Sequence, residues 1–290
     1  MRLVTYQHDN ATSIGALRGD RVVDLSAVAP DMLSLIDKGA AGLATARASL
    51  AAAPEDAGLP LSAVTLLAPI PRPRKNIMCL GMNYAAHAYE SARARGNPEV
   101  LPKYPVFFTK APTTVNNPDA IVPLHQKQTD QLDWEVELAF VIGTTGAGIT
   151  AAQAMDHIFG YTIINDVSAR EIQNNHQQFF RGKSLDGCCP MGPCIVTTDE
   201  IPDPQNLGIR LRLNGRTMQD STSADLIFKI PEVIAVLSDG MTLEAGDIIS
   251  TGTPSGVGMG MSPPVFLKDG DVMEAEIDGI GVLRNTVRAI

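Results

Sequence analysis

Apolar and polar residues alternate at the start of the chain, from Leu3 to Tyr6, and again from Ile14 to Leu25 on either side of Gly19-Asp20. A period of two puts alternate side chains on one face of a strand, and Gly-Asp is turn chemistry, so these residues predict a strand and a hairpin. From Asp31 to Ala53 the spacing lengthens. Met32, Leu33, Leu35, Ile36 and Leu43, followed by an alanine-rich run, predict one or two helices. Pro69, Pro71 and Pro73 then alternate through Pro69 to Lys75, which excludes helix and fits an extended connector. The pattern therefore predicts a small N-terminal α+β domain, 1–70, and a larger domain, 71–290. In the latter, short apolar runs bounded by Gly, Pro, Asn and Asp predominate, with helical spacing over Ala151 to Ile158 and Pro231 to Leu237, so it is expected to be mainly β with some α.

Two runs carry chemistry. Leu132 to Ile142 reads as a strand whose alternation puts Glu135 and Glu137 on one face, roughly 7 Å apart. A Glu-x-Glu pair is commonly just a solvated face. Here, however, the strand continues Leu-Ala-Phe-Val-Ile, apolar on both faces, as in a strand covered on both sides. Burying two like charges is costly unless something positive compensates, and a cation is the natural candidate. The second Glu-x-Glu, Glu274 and Glu276, alternates steadily with apolar residues and reads as an ordinary half-exposed strand. A third carboxylate, Asp166, follows the apolar run Phe159 to Asn165, although an aspartate there, taken alone, is more often the cap of the helix-like segment that follows. Three carboxylates without a His or Cys pattern make a hard, all-oxygen site suited to Mg²⁺, with Mn²⁺ or Ca²⁺ next and Zn²⁺ disfavoured.

Composition narrows the function classes. The formal charge of -9 disfavours attraction to nucleic acid or anionic lipid, and no window approaches the length of a membrane-spanning helix. A small-molecule enzyme of the cytoplasm is expected. Cys79, Cys188, Cys189 and Cys194 lack zinc-site spacing and read as small core residues. Ile248 to Gly258 looks like a glycine-rich nucleotide loop, but Pro263-Pro264 stands where the helix of such a loop would begin. The loop is expected instead to offer Thr253 and backbone N–H groups to a substrate carboxylate.

Six ordered segments resemble the fumarylacetoacetate hydrolase superfamily over roughly 75–290: Gly81 to Glu90, Asp133 to Ala139, Gly160 to Gln173, Phe179 to Asp186, Met191 to Pro193 and Thr251 to Gly256. The resemblance implies a mixed β-roll catalytic domain paired into a homodimer, with Glu135, Glu137 and Asp166 as metal ligands. It also implies that His87 and Glu90, spaced i, i+3 in a helix over Tyr84 to Arg95, form a dyad that activates water. Arg170 and Gln173 would contact substrate or order the segment bearing the dyad. Lys183, which could otherwise pair with Asp186, would neutralise enolate charge. Met82 stands where some relatives carry arginine, and Ser91 to Tyr104 is where substrate choice is expected to be set. His125, His157 and His176 match no motif. The implied activity is Mg²⁺-dependent hydrolysis of a C–C bond in a small 2,4-dioxo acid, an acylpyruvate or fumarylpyruvate, through a metal-stabilised pyruvate enolate. An oxaloacetate-type decarboxylase or a 2-hydroxydienoate isomerase is the alternative on the same site, and a non-catalytic small-molecule binder of the same fold is a further one.

Overall fold

The computed structural model describes residues 1–289 and is mainly β with some α. Its centre is the strand Val136–Ile142, buried at every position. Val136, Leu138, Phe140 and Ile142 enter one hydrophobic core, while Ala139 and Val141 enter another. This is the consequence of an apolar run at period two: both faces must be covered. A five-stranded sheet, containing Gly208–Leu213, Val272–Ile277 and Gly281–Arg288, packs over the first core. Over the second lie the helix Met32–Asp37 and strands of the large sheet.

In the large sheet, Val136–Ile142 pairs antiparallel with Ile158–Asn165 on one side and Ile248–Ser250 on the other. Ile77–Gly81 joins Ile248–Ser250 in parallel, and Val106–Lys110 closes that side. On the opposite side Cys189–Thr197 links Ile158–Asn165 to the first strand, Arg2–His8. The N-terminal strand and hairpin therefore extend the same sheet, so that the exposed edge of Cys189–Thr197 gains backbone partners. The hairpin turns at Gly19-Asp20, where Gly19 has φ +59°, a left-handed conformation that glycine adopts freely. The expected helix over Ala151 to Ile158 is replaced by a 3-10 turn, Ala154–His157, because Ile158 is already committed to its strand. Short helices are weak on their own, and the sheet pairing prevails.

Candidate active site

The strand Val136–Ile142 begins at the site. Val136 pairs with Asn165, which brings the chain just before the first strand beside the chain just after the second. The Glu135 N–H donates to Asn165 Oδ1 at 3.0 Å, and the Asp166 N–H donates to the Glu135 carbonyl at 2.8 Å. Glu137 falls on the same face as Ala139 and Val141. Carboxylate oxygens of Glu135, Glu137 and Asp166 thus lie within 4.8 Å of one another, and all three residues are buried.

Three buried cations answer them. Lys183 Nζ donates at 2.7 Å to Glu135 Oε2 and at 2.7 Å to Asp166 Oδ2. Lys110 Nζ lies 2.7 Å from Asp166 Oδ1, off the line of a hydrogen bond. Its two hydrogen bonds go to the carbonyls of Lys183, at 2.5 Å, and Val167, at 3.2 Å. Arg170 reaches Glu135 Oε1 at 2.7 Å and donates through Nε to Asp133 Oδ2 at 2.8 Å. Asp133 is a fourth buried carboxylate, and it also accepts N–H bonds from Trp134, Gly258 and Met259. Four carboxylates against three cations leave one net negative charge, and the contacts identify its bearer.

Glu137 meets no ammonium or guanidinium within 4.0 Å among the described residues. Its Oε2 accepts the Ser250 hydroxyl at 2.5 Å and the Gly252 N–H at 3.0 Å. Burial, with Asp166 and Glu135 alongside, pushes its carboxyl well above the ordinary range. Burial also works against the charge on Glu135, but Lys183 and Arg170 outweigh it and hold that carboxyl below the usual range. The cluster is therefore short of positive charge at Glu137. A hard dication fits both this shortfall and the all-oxygen donor set, and would turn the local balance from one negative to one positive, suited to an anionic substrate.

His87 and Glu90 lie on the helix Ala85–Ala94, with His87 Nδ1 3.1 Å from Glu90 Oε2. Glu90 Oε1 accepts the Gly256 N–H at 3.0 Å, which ties the dyad to the loop 251–259. That contact is close: a Cβ on Gly260 would fall 2.3 Å from Glu90 Cγ. The same loop donates to Glu137 and to Asp133, so its N–H groups are largely spent on the protein's own carboxylates. Thr253 gives its hydroxyl proton to the Val136 carbonyl at 2.9 Å and accepts from Gln219 at 2.7 Å, leaving no side-chain donor for a substrate.

His87, Glu135, Glu137, Arg170, Gln173, Lys183 and Thr253 line one cleft; Asp166 and Glu90 are not among its lining residues. Arg170 also donates to Gln173 Oε1 at 3.1 Å, as their i, i+3 spacing allows. Arg170 pairs with Asp133 and Glu135 rather than with Glu171, which accepts instead from Thr129 and the Asp130 N–H. Lys183 pairs with Glu135 and Asp166, not with Asp186. It gets there because Gly182 packs against Gln173, where a Cβ would lie 2.5 Å from the Gln173 nitrogen. Glu274 and Glu276 are partly exposed and face Arg212 and Arg210 across strands, apart from the site. The cysteines are buried, and burial pushes the Cys188, Cys189 and Cys194 thiols up to about 12, consistent with inert core residues. His125 and His157 bond backbone carbonyls, and His176 is exposed. Lys110, Asp133, Ser250 and Gln219 were not singled out from sequence. Asp133 had a visible signal, since it shares the alternation of Glu135 and Glu137.

The model of the fumarylacetoacetate (FAA) hydrolase C-terminal family matches residues 76–288. The chain is 52% identical over 227 residues to the oxaloacetate tautomerase YisK of Bacillus subtilis, covering 78% of this chain and 74% of that one. It superposes on a fumarylacetoacetate hydrolase from psychrophilic Exiguobacterium antarcticum with a TM-score of 0.86 and 40% identity, covering all of both chains. A maleylpyruvate hydrolase from Sphingobium sp. SYK-6, in complex with manganese(II) and pyruvate, gives 0.79 at 30% identity, covering 100% of this chain and 99% of that one. No helix among the described residues is long and apolar enough to cross a membrane.

Proposed function

We propose that this chain, which belongs to the fumarylacetoacetate hydrolase family, is a divalent-metal-dependent enzyme that interconverts the enol and keto forms of a small 2-oxo acid of the oxaloacetate type. The observation that carries this reading is the meeting, in one cleft, of a carboxylate cluster short of positive charge with a lysine ammonium and a carboxylate-backed imidazole. Glu135, Glu137 and Asp166 would hold the ion, magnesium first by donor chemistry and manganese next, and when bound it would supply Lewis-acid stabilisation of negative charge on substrate oxygens.

The protein's own groups do the rest. Two of the three Lys183 protons are committed to Glu135 and Asp166, which leaves one to donate to the oxygen where enolate charge develops. Arg170 Nη2 is buried without a hydrogen-bond partner and is available to the carboxylate beside the 2-oxo group. When His87 Nδ1–H donates to Glu90, Nε2 is left as the proton carrier: the enol gives up its O–H proton, C3 gains one, and the imidazole shuttles between them. Glu90, fixed by the Gly256 N–H, keeps the ring oriented.

Hydrolysis of a 2,4-dioxo acid, the first expectation from sequence, becomes the second reading because a relative 52% identical is named for tautomerisation. It retains support from the dyad's capacity to activate water and from the relative described with manganese and pyruvate. The test follows decay of the oxaloacetate enol absorbance with Mg²⁺ and with chelator, beside pyruvate release from acylpyruvates. Metal-dependent enol decay without pyruvate release supports tautomerisation, pyruvate release with slow enol decay transfers the assignment to hydrolysis, and neither would overturn both.

A further inference from the structure

Arg95 follows the last turn of the helix that carries the dyad, and it differs from the other arginines nearby. Arg93, on the same helix, pairs with Glu99 at 2.8 Å, and Arg170 is held by Asp133 and Glu135. Arg95 pairs with no carboxylate among the described residues, and its Nε is buried without a hydrogen-bond partner. Its guanidinium stacks 5.6 Å from the centroid of the Phe179 ring, which orients the fork without neutralising it. Burial and the neighbouring Arg170 both act against the charge, and Glu135 is the one acid that supports it at a distance. A half-buried guanidinium beside another cation, and paired directly with no carboxylate, is open to an anionic ligand.

Arg95 lines the same cleft as Glu135, Glu137 and Lys183, together with Met82, Ser91 and Phe179. It also borders an adjoining hollow lined by Met82, Asn97 and Val100. A substrate whose 2-oxo acid end lies at Glu135, Glu137 and Lys183 would direct its far end toward Arg95.

We infer that Arg95 is a specificity-determining residue that binds a second carboxylate at the far end of the substrate, so that the site selects dicarboxylic 2-oxo acids over monocarboxylic ones. This rests on the reading above for which end of the substrate meets the cluster. A planar guanidinium already held against an aromatic ring can give a carboxylate two parallel N–H bonds.

The test is independent of turnover. Malate and 2-hydroxybutanoate share four carbons and a 2-hydroxy acid end, but malate has a carboxylate where the other has a methyl group. Their binding to the Mn²⁺-loaded protein is measured by calorimetry for wild type, Arg95→Met and Arg95→Lys, each checked for unaltered thermal unfolding. Wild type should prefer malate by about 10- to 100-fold, the range of a charge-assisted hydrogen bond. Arg95→Met should collapse that ratio to within about threefold, and Arg95→Lys, which keeps the charge but loses the fork, should fall between. A ratio unchanged in Arg95→Met, or no malate preference in wild type, overturns the assignment. An Arg95-dependent preference in a protein inert toward oxaloacetate would keep the subsite and discard the tautomerase reading.

Discussion

The charge balance of the carboxylate cluster yields a prediction with an unusual sign. Glu137 is buried beside two like charges with no cationic partner, so the metal-free protein carries a group that folding disfavours. In Glu137→Gln the amide oxygen can still accept from Ser250 and Gly252, while the NH₂ replaces a carboxylate oxygen beside other acids. Without metal the variant should unfold at or above the wild-type temperature, by about 1–2 kcal/mol, the usual scale for relieving a poorly compensated buried polar group. With metal the order reverses. An ion at one hundred times its Kd stabilises the native state by about 2.7 kcal/mol, which raises the midpoint of a chain this long by roughly 5 °C. Wild type should gain that shift with Mg²⁺ or Mn²⁺, and Glu137→Gln less than about 1 °C at the same concentration. Differential scanning fluorimetry with chelator and with an ion series measures both. A variant several degrees less stable than wild type without metal, or one that keeps the full metal shift, would refute the charge bookkeeping.

Other perturbations separate the roles of the neighbours. Lys183→Met leaves the cluster two charges negative, so calorimetry should find tighter Mn²⁺ binding while kcat falls roughly 10²- to 10³-fold; weaker metal binding would contradict the count. His87→Ala should lower kcat roughly 10²- to 10⁴-fold yet keep the metal-induced thermal shift. Arg170→Met leaves the buried Asp133 without a cation and Glu135 with Lys183 alone, and should cost about 3–5 kcal/mol in urea unfolding. Gly182→Ala, whose Cβ would meet the Gln173 backbone at 2.5 Å, should cost about 1–3 kcal/mol and displace Lys183, seen as loss of activity beyond the loss of stability.

Much of the site was legible because its chemistry follows local periodicity. Glu135 and Glu137 sit at period two where an apolar strand begins, and Asp166 follows the neighbouring, largely apolar strand; pairing of Val136 with Asn165 then brings the three together. His87 and Glu90 meet through helical spacing alone. What could not be read depends on partners distant in sequence. Lys110 ends a strand 56 residues from Asp166, with three strands between it and Ile158–Asn165 in the sheet, and only the tertiary fold, which seats its Nζ on the Val167 and Lys183 carbonyls, brings it to the cluster. Thr253 has a hydroxyl suited to a substrate, but Gln219 and the Val136 carbonyl, on two other strands, already occupy it. The proline-rich connector suggested a boundary near residue 70, and nothing local indicated that Arg2–His8 would pair with Cys189–Thr197 across nearly two hundred residues.

Pyruvate tests enolate formation without the complication of decarboxylation or C–C cleavage. Its methyl protons exchange with D₂O through the enol, and exchange is followed by proton NMR with the Mg²⁺-loaded protein, with chelator, and with free Mg²⁺ at the same concentration. A site that stabilises a 2-oxo acid enolate should accelerate exchange only in the metal-loaded protein and lose the acceleration in Lys183→Met. Exchange at the free-ion rate, in a protein shown by thermal shift to bind the metal, would contradict it.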